Sequence, residues 1–301
     1  MCGIVGLYTK NPKMERHLGD YLSSMLIEMT DRGPDSAGIA VYRNPAPEGS
    51  VKLTVHNADP NYPWPQLARD LSEELGDKVK IEVRGSHAVL VAHEDYPTIR
   101  AWLHHHFPEV NIVSAGGTIE IFKEMGLPID VVDRFKLREL KGTHALGHTR
   151  MATESAVTTE HSHPFSTGLD LCLVHNGSLS NHNRLREYLR KHGIEIRTDN
   201  DTEVAAGYLT WRLREGATLE EALEAALKDL DGFYTFAIGT RNGFAVLRDP
   251  IACKHAVLAE TDDWVAMATE YRSIATLPGA EKATIWEPVP AQIYSWSRAE
   301  T

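Results

Sequence analysis

Strand-forming segments gather at the two ends of this chain, and helix-forming segments lie between them. "CGIVGLY" near the N-terminus is rich in glycine and β-branched residues and reads as a buried strand. Beyond residue 231 the chain is a run of short strands. "FYTFAIGT" and "GFAVLRD" are joined by Asn242-Gly243, a strong hairpin signal, and "HAVLAE", "WVAMATE" and two more follow. "AGIAVYR", "THALGHTR" and "LDLCLVHNG" add strands further in. Leu18, Leu22, Met25 and Met29 recur at helical spacing, and "NHNRLREYLRKHG", "DTEVAAGYLTWRL" and "TLEEALEAALKDL" read as helices. The last opens with Thr218 and Glu221 in capping-box spacing. This order predicts an α+β sandwich of antiparallel sheets.

Residues 57–141 behave differently. They hold a proline cluster, a helix ("QLARDLSEELG"), alternating strands ("KVKIEVRGSHAVLVAHE"), a second helix ("YPTIRAWLHHHF") and "VNIVSAGGTIEIFKEMGLP", read as a strand followed by a helix. The expectation is a small α/β insertion with its own core, set within one domain spanning 2–301. Tyr62, Trp64, Trp102 and Phe107 read as a docking surface on it, since aromatics are enriched in interface cores, or else, Trp102 above all, as filling of its own small core. His104, His105 and His106 are consecutive on a helix, so they point about 100° apart and cannot share one ion. They read as surface.

The formal net charge of −11 argues against nucleic acid or an anionic membrane as partner, because both need a basic face. Three cysteines without framework spacing (Cys2, Cys172, Cys253) fit a reducing compartment. Cys172 alternates within a strand and reads as core, and Cys253 is expected to be structural. "MCGIVGLYTK" lacks the length and basic start of a signal peptide, and no apolar run approaches the ~20 residues of a membrane span. The expected location is cytoplasmic.

Cys2 raises the chemical question. If Met1 is removed, a thiol and a free α-amine share one residue. An α-amine titrates near ~7.7–8.0 and a thiol near ~8.5, so the amine can take the thiol proton near neutral pH. Attack on an amide then needs an oxyanion hole. "HNGSLSN" offers the Asn176 side-chain amide and the Gly177 N–H at a strand end. "GHTRMAT" offers Arg150, whose planar fork suits a carboxylate, and "TDNDTE" offers acids at a helix start for an ammonium. Asp199 and Asp201 are also good helix caps.

Taken together and in order, "CGIVG", "DRGPDSAG", "GHTRMAT", "HPF", "HNGSLSN", "NDTE", "RDP" and "TE" resemble the class II glutamine amidotransferases. The resemblance covers most of the chain outside 57–141. It implies the four-layer αββα fold of N-terminal-nucleophile hydrolases. It also implies that Cys2 attacks the amide of L-glutamine to form a thioester and that ammonia passes to an acceptor. Asn176 and Gly177 would form the oxyanion hole, Arg150 would bind the α-carboxylate, Thr153 would line the site and Asp201 would take the α-ammonium. Arg32 would support the nucleophile strand. His163 and His175 would be hydrogen-bonded scaffold, since the α-amine makes a histidine base unnecessary.

A stand-alone chain of this kind is similar to the small subunit of glutamate-synthase-like assemblies, N-methylglutamate synthase among them. That likeness implies no cofactor on this chain, flavin and iron–sulfur chemistry on partner subunits, and a hetero-oligomer with a synthase. Two other readings compete: an independent N-terminal-nucleophile hydrolase of another linear amide, and a non-catalytic amino-acid-binding regulatory subunit. The pairing of Arg150 with Asp201 favours a free α-amino acid over the first. Intact Cys2, Asn176 and Gly177 weigh against the second.

Overall fold

The computed structural model describes residues 2–152 and 156–298, so Met1 and Thr153 lie outside the described residues. β1 (Gly3–Thr9) leads through the short α1 (Pro12–Glu15) into α2 (Leu18–Ile27) and returns as β2 (Ser36–Tyr42). Next come β3 (Val51–His56), α3 (Trp64–Leu75), β4 (Lys80–Arg84), β5 (His87–Ala92), α4 (Tyr96–His106) and β6 (Asn111–Gly116). β7 (Ile119–Met125) and α5 (Pro128–Arg134) precede β8 (His144–Arg150), β9 (Phe165–Gly168) and β10 (Leu171–Leu179). The helices α6 (His182–Lys191), α7 (Asp201–Arg214) and α8 (Leu219–Asp229) follow. β11 (Gly232–Thr240), β12 (Gly243–Arg248), β13 (Val257–Glu260), β14 (Trp264–Ala268), the short α9 (Tyr271–Ile274), β15 (Thr284–Trp286) and β16 (Ile293–Ser297) complete it.

Among the described residues these strands make three sheets. The first runs β15-β13-β14-β1-β8-β2-β7 and the second β16-β12-β11-β10-β9. Alternation along each strand decides what faces what. Ile4, Tyr42 and Leu146 of the first sheet meet Cys172, Val174 and Phe244 of the second, forming the inter-sheet core. Val5, Leu7 and Ile39 point the other way, onto Leu18, Leu22 and Met25 of α2. Leu173 and Phe236 of the second sheet pack outward against Leu189, Val204 and Leu223 of its helices. Helix, sheet, sheet and helix are thus stacked as αββα, the expected architecture. β1 is apolar throughout because both its faces are covered. α8 opens with the Thr218–Glu221 capping box, and Thr240 pairs with Gly243 across the expected hairpin.

The third sheet, β4-β5-β3-β6, is covered by α3 and α4. It spans 51–116, which differs at both ends from the 57–141 read from sequence. "TIEIFKEM" is not the helix expected there but β7, the edge strand of the first sheet, in register with β2. Its residues are buried on both faces, Ile119 and Ile121 toward the second sheet and Phe122 toward the outer helices, so the alternation that marks a strand is missing. The glycines before it make a strand-to-strand turn whose Gly117, Thr118 and Ile119 N–H groups all donate to the Asp170 carboxylate. The small sheet is fixed to β7 by a buried ion cluster. Lys52 of β3 reaches Glu120 at 3.0 Å, and Arg43 reaches the same carboxylate at 2.7 Å.

The four aromatics expected on a docking surface pack into the small sheet's own core, with Trp64 buried and Tyr62, Trp102 and Phe107 against it. Cys172 is fully buried, while Cys253 is exposed rather than structural. His104, His105 and His106 are exposed along α4.

Candidate active site

Neighbouring strands of the two sheets bring their ends together at one edge of the sandwich. β1 begins beside the end of β8, with Gly3 paired to Thr149, so Cys2 sits next to Arg150 and Met151. The Met151 N–H lies 3.4 Å from Cys2 Sγ. From the opposing sheet, β10 contributes Asn176, whose Nδ2 donates to the Cys2 carbonyl oxygen at 3.0 Å and to Thr269 Oγ1 at 3.2 Å. Thr269 in turn accepts the Ile4 N–H at 2.8 Å, so the start of β1 is held from both sides.

Gly177 follows with φ +145°, a backbone that L side chains rarely adopt. A Cβ there would lie 2.0 Å from the Phe233 carbonyl oxygen. Only glycine lets β10 turn out at this point, and Gly177 and Ser178 are exposed although they belong to the strand.

Arg150 is only 5% exposed. Its Nη1 donates to the Ala156 carbonyl at 2.9 Å, and burial draws the guanidinium below its ordinary pKa while Cys2, Asp35 and Asp199 push it back up. Asp35 ties the same segment down, donating its N–H to the Arg150 carbonyl at 3.1 Å and accepting the Ala152 N–H at 2.8 Å. Asp199 is exposed and meets His161 at 2.9 Å.

Asp201, at the first turn of α7, accepts the Leu179 N–H at 2.9 Å, and its other oxygen stands 3.6 Å from His175 Nδ1. Burial would raise its pKa, but His175 and the Leu179 bond outweigh that and bring it down to about 2. It is therefore an anion that also ties α7 to the end of β10. Thr153 lies outside the described residues. Arg32 pairs with Glu270 at 2.8 Å, joining "DRGPDS" to "TE".

The histidines of the motifs lie beneath. His148 and His163 stack with ring centroids 3.9 Å apart. His163 and His175 contact Thr202 Oγ1 at 3.3 and 3.0 Å, and His148 Nε2 meets the His175 carbonyl at 3.1 Å. Burial pushes the His148 pKa down to about 3 and that of His163 well below its ordinary value, so the stacked rings are neutral and do not repel each other.

Sequence reasoning assigned no role to Met151, Asp35, Thr202 or Thr269. All four lie inside quoted motifs, and only the fold reveals what they touch. A cavity of about 1260 Å³ opens at the opposite end of the sheets, beside Asp170, Thr240 and Trp296, and no site residue lines it. Among the described residues no group of three His, Cys, Asp or Glu is arranged to hold a metal ion.

The fold is the αββα sandwich of the N-terminal-nucleophile type. The Glutamine amidotransferase domain family matches residues 148–276. The chain is 56% identical over 297 residues to the glutamine amidotransferase-like protein GlxB of Rhizobium meliloti (strain 1021), covering 98% of each. It is 30% identical over 304 residues to a putative glutamine amidotransferase of Methanothermobacter thermautotrophicus, covering 98% of this chain and 99% of that one. In fold it is similar to the glutamine phosphoribosylpyrophosphate amidotransferase from B. subtilis complexed with ADP and GMP, with a TM-score of 0.63 at 20% identity. That match covers 98% of this chain but 47% of the other, so the chain spans about half of that enzyme's length. The chain belongs to the class II glutamine amidotransferase family, with a glutamine-hydrolysing domain.

Proposed function

We propose that Cys2 is the nucleophile of a glutaminase reaction whose ammonia is used by a partner synthase subunit. The observation that supports this best is the convergence of the Cys2 thiol, the Asn176 amide and the Arg150 guanidinium at one end of facing sheets. With Met1 removed, the α-amine of Cys2 takes the thiol proton and Sγ attacks the glutamine side-chain carbon. Charge on the carbonyl oxygen is met by Asn176 Nδ2 and the Gly177 N–H. The C–N bond breaks, the α-ammonium returns its proton, and ammonia leaves a γ-glutamyl thioester. Water then cleaves the thioester to glutamate and restores the thiol.

In this reading Arg150 takes the α-carboxylate, Asp201 takes the α-ammonium and Thr153 lines the site. Ammonia in neutral water is protonated and no longer nucleophilic, which is the reason to place an acceptor subunit against the site. A glutamate-synthase-like or N-methylglutamate synthase partner would carry the flavin and iron–sulfur chemistry on its own chains. The test is a glutaminase assay with intact mass. Active protein should lack Met1 and should be labelled once, at Cys2, by a glutamine-like diazoketone. Activity that persists in Cys2→Ala protein would refute the mechanism.

A further inference from the structure

Three residues, one from each of three adjacent strands, form a row across the first sheet. Gly38 of β2 is paired with Lys123 of β7 on one side and with His148 of β8 on the other. The segment 160–164 lies over this row. His163 stacks on His148, and a Cβ on Gly38 would come within 2.3 Å of the His163 carbonyl oxygen. Lys123 completes the cradle. It is 5% exposed, and its ammonium donates to three carbonyls of the one loop: Ser162 at 2.7 Å, Glu160 at 3.2 Å and Pro164 at 3.3 Å. Its Nζ also lies 4.5 Å from the centre of the Phe165 ring.

Taking an ammonium out of water is costly, and a methionine of similar length would fill the space without that cost. What methionine cannot do is hold three carbonyls. We infer that Lys123 is a positioning residue for glutamine binding, fixing through this row the loop that orients Arg150. The inference rests on the role proposed for Arg150.

The connection can be followed bond by bond. Lys123 holds the Ser162 carbonyl, while Ser162 donates its N–H to the Thr159 carbonyl at 3.2 Å and its hydroxyl to the Thr158 carbonyl at 2.9 Å. That makes 158–162 one closed turn. Ala156, two residues before it, accepts from Arg150 Nη1 at 2.9 Å. A grip on the turn therefore sets where the guanidinium fork points, and Arg150 adjoins the segment that faces the Cys2 thiol.

Steady-state glutaminase kinetics on the full chain test this, with Lys123→Met, Ser162→Ala and Arg150→Lys measured side by side. Lys123→Met should raise KM for glutamine about tenfold while kcat stays within about twofold, the signature of lost binding without lost chemistry. Ser162→Ala, which keeps Lys123 and removes only the link to Thr158, should raise KM about two- to threefold by the same reasoning. An unchanged KM in folded Lys123→Met protein overturns the inference. Should that variant fail to fold, Ser162→Ala decides, and an unchanged KM there overturns it equally. If Arg150→Lys itself leaves KM unchanged, the substrate reading fails and the inference falls with it. A raised KM in Arg150→Lys with none in the other two rejects only the role of Lys123.

Discussion

The side chain of Asn176 holds the backbone of Cys2, its Nδ2 donating to the Cys2 carbonyl oxygen at 3.0 Å. The second contact of that nitrogen, to Thr269 Oγ1 at 3.2 Å, occupies it further. To meet an oxyanion, the amide must exchange one of these partners for the substrate. In the proposed reaction Asn176 would thus tie the position of Cys2 to charge stabilisation.

Asn176→Ala removes that donor and should lower kcat roughly 10²–10³-fold, the range found when one oxyanion-hole donor is lost. KM should change little. The fold, followed by circular dichroism, should persist because the inter-sheet core does not include this side chain. Unchanged kcat would refute the assignment.

Substrate recognition should divide between Arg150 and the acids near it. Arg150→Lys keeps a charge but loses the fork, so glutamine KM should rise. Asp201→Asn should raise KM and also loosen the start of α7, because Asp201 accepts the Leu179 N–H. Asp199→Asn, on an exposed side chain, should leave thermal stability unchanged. If Asp199→Asn raises KM while Asp201→Asn does not, the ammonium is held by Asp199.

The buried histidines predict how stability depends on pH. His148 and His144 are held neutral by burial, with values brought down to about 3 and about 4. Between those values and 6.5 the unfolded chain binds protons that the folded chain does not, so stability falls as pH drops below 6.5. Each ring contributes a slope of about 1.4 kcal/mol per pH unit across its window. Asp201 acts later, since its stabilisation is present above 3.8 and is lost toward about 2. Urea midpoints at pH 7.5, 6.0 and 5.0 should therefore decrease in order. A flat profile would show that these rings protonate in the folded state.

Glu120 receives both Arg43 and Lys52 in the buried cluster that joins the small sheet to β7. Glu120→Gln removes the counter-ion of the buried Lys52 ammonium, leaving it the Arg43 and Asn44 carbonyls, and should cost about 3–5 kcal/mol of unfolding free energy. Lys52→Met combined with Glu120→Gln should cost less than Glu120→Gln alone. A double variant that costs the sum of Lys52→Met and Glu120→Gln measured singly would mean that the pair contributes no coupling.

The helices α2, α3, α4, α6, α7 and α8, the capping box at Thr218 and the Asn242-Gly243 hairpin could be read along the chain, because their signals are local. β7 could not. Its lysine and glutamates suit a helix, its faces are both buried, and its partner β2 lies far away in sequence. The same cause hid the bounds of the small sheet, and a deletion of 58–140 would remove an edge strand of the sandwich along with it. In the site, Cys2, Asn176 and Arg150 lie together at one end of the facing sheets. Lys123, Gly38 and Asp35 were hidden, since only the register of β2 with its two neighbours shows what they touch.

The pairing of Tyr42 with Ile119 bears on how the chain folds. The two residues flank the small sheet, so β2 and β7 can meet only after a long intervening segment has been drawn together. Closing such a segment as free coil would delay the pairing. Its own sheet brings the ends together instead: β3 and β6 are neighbours, with Lys52 paired to Gly116, and this sets β7 beside the edge of β2. Lys123 travels on β7 and reaches the loop only at that moment. The turn at 158–162 can therefore gain the hold of Lys123 only once β7 has reached β2.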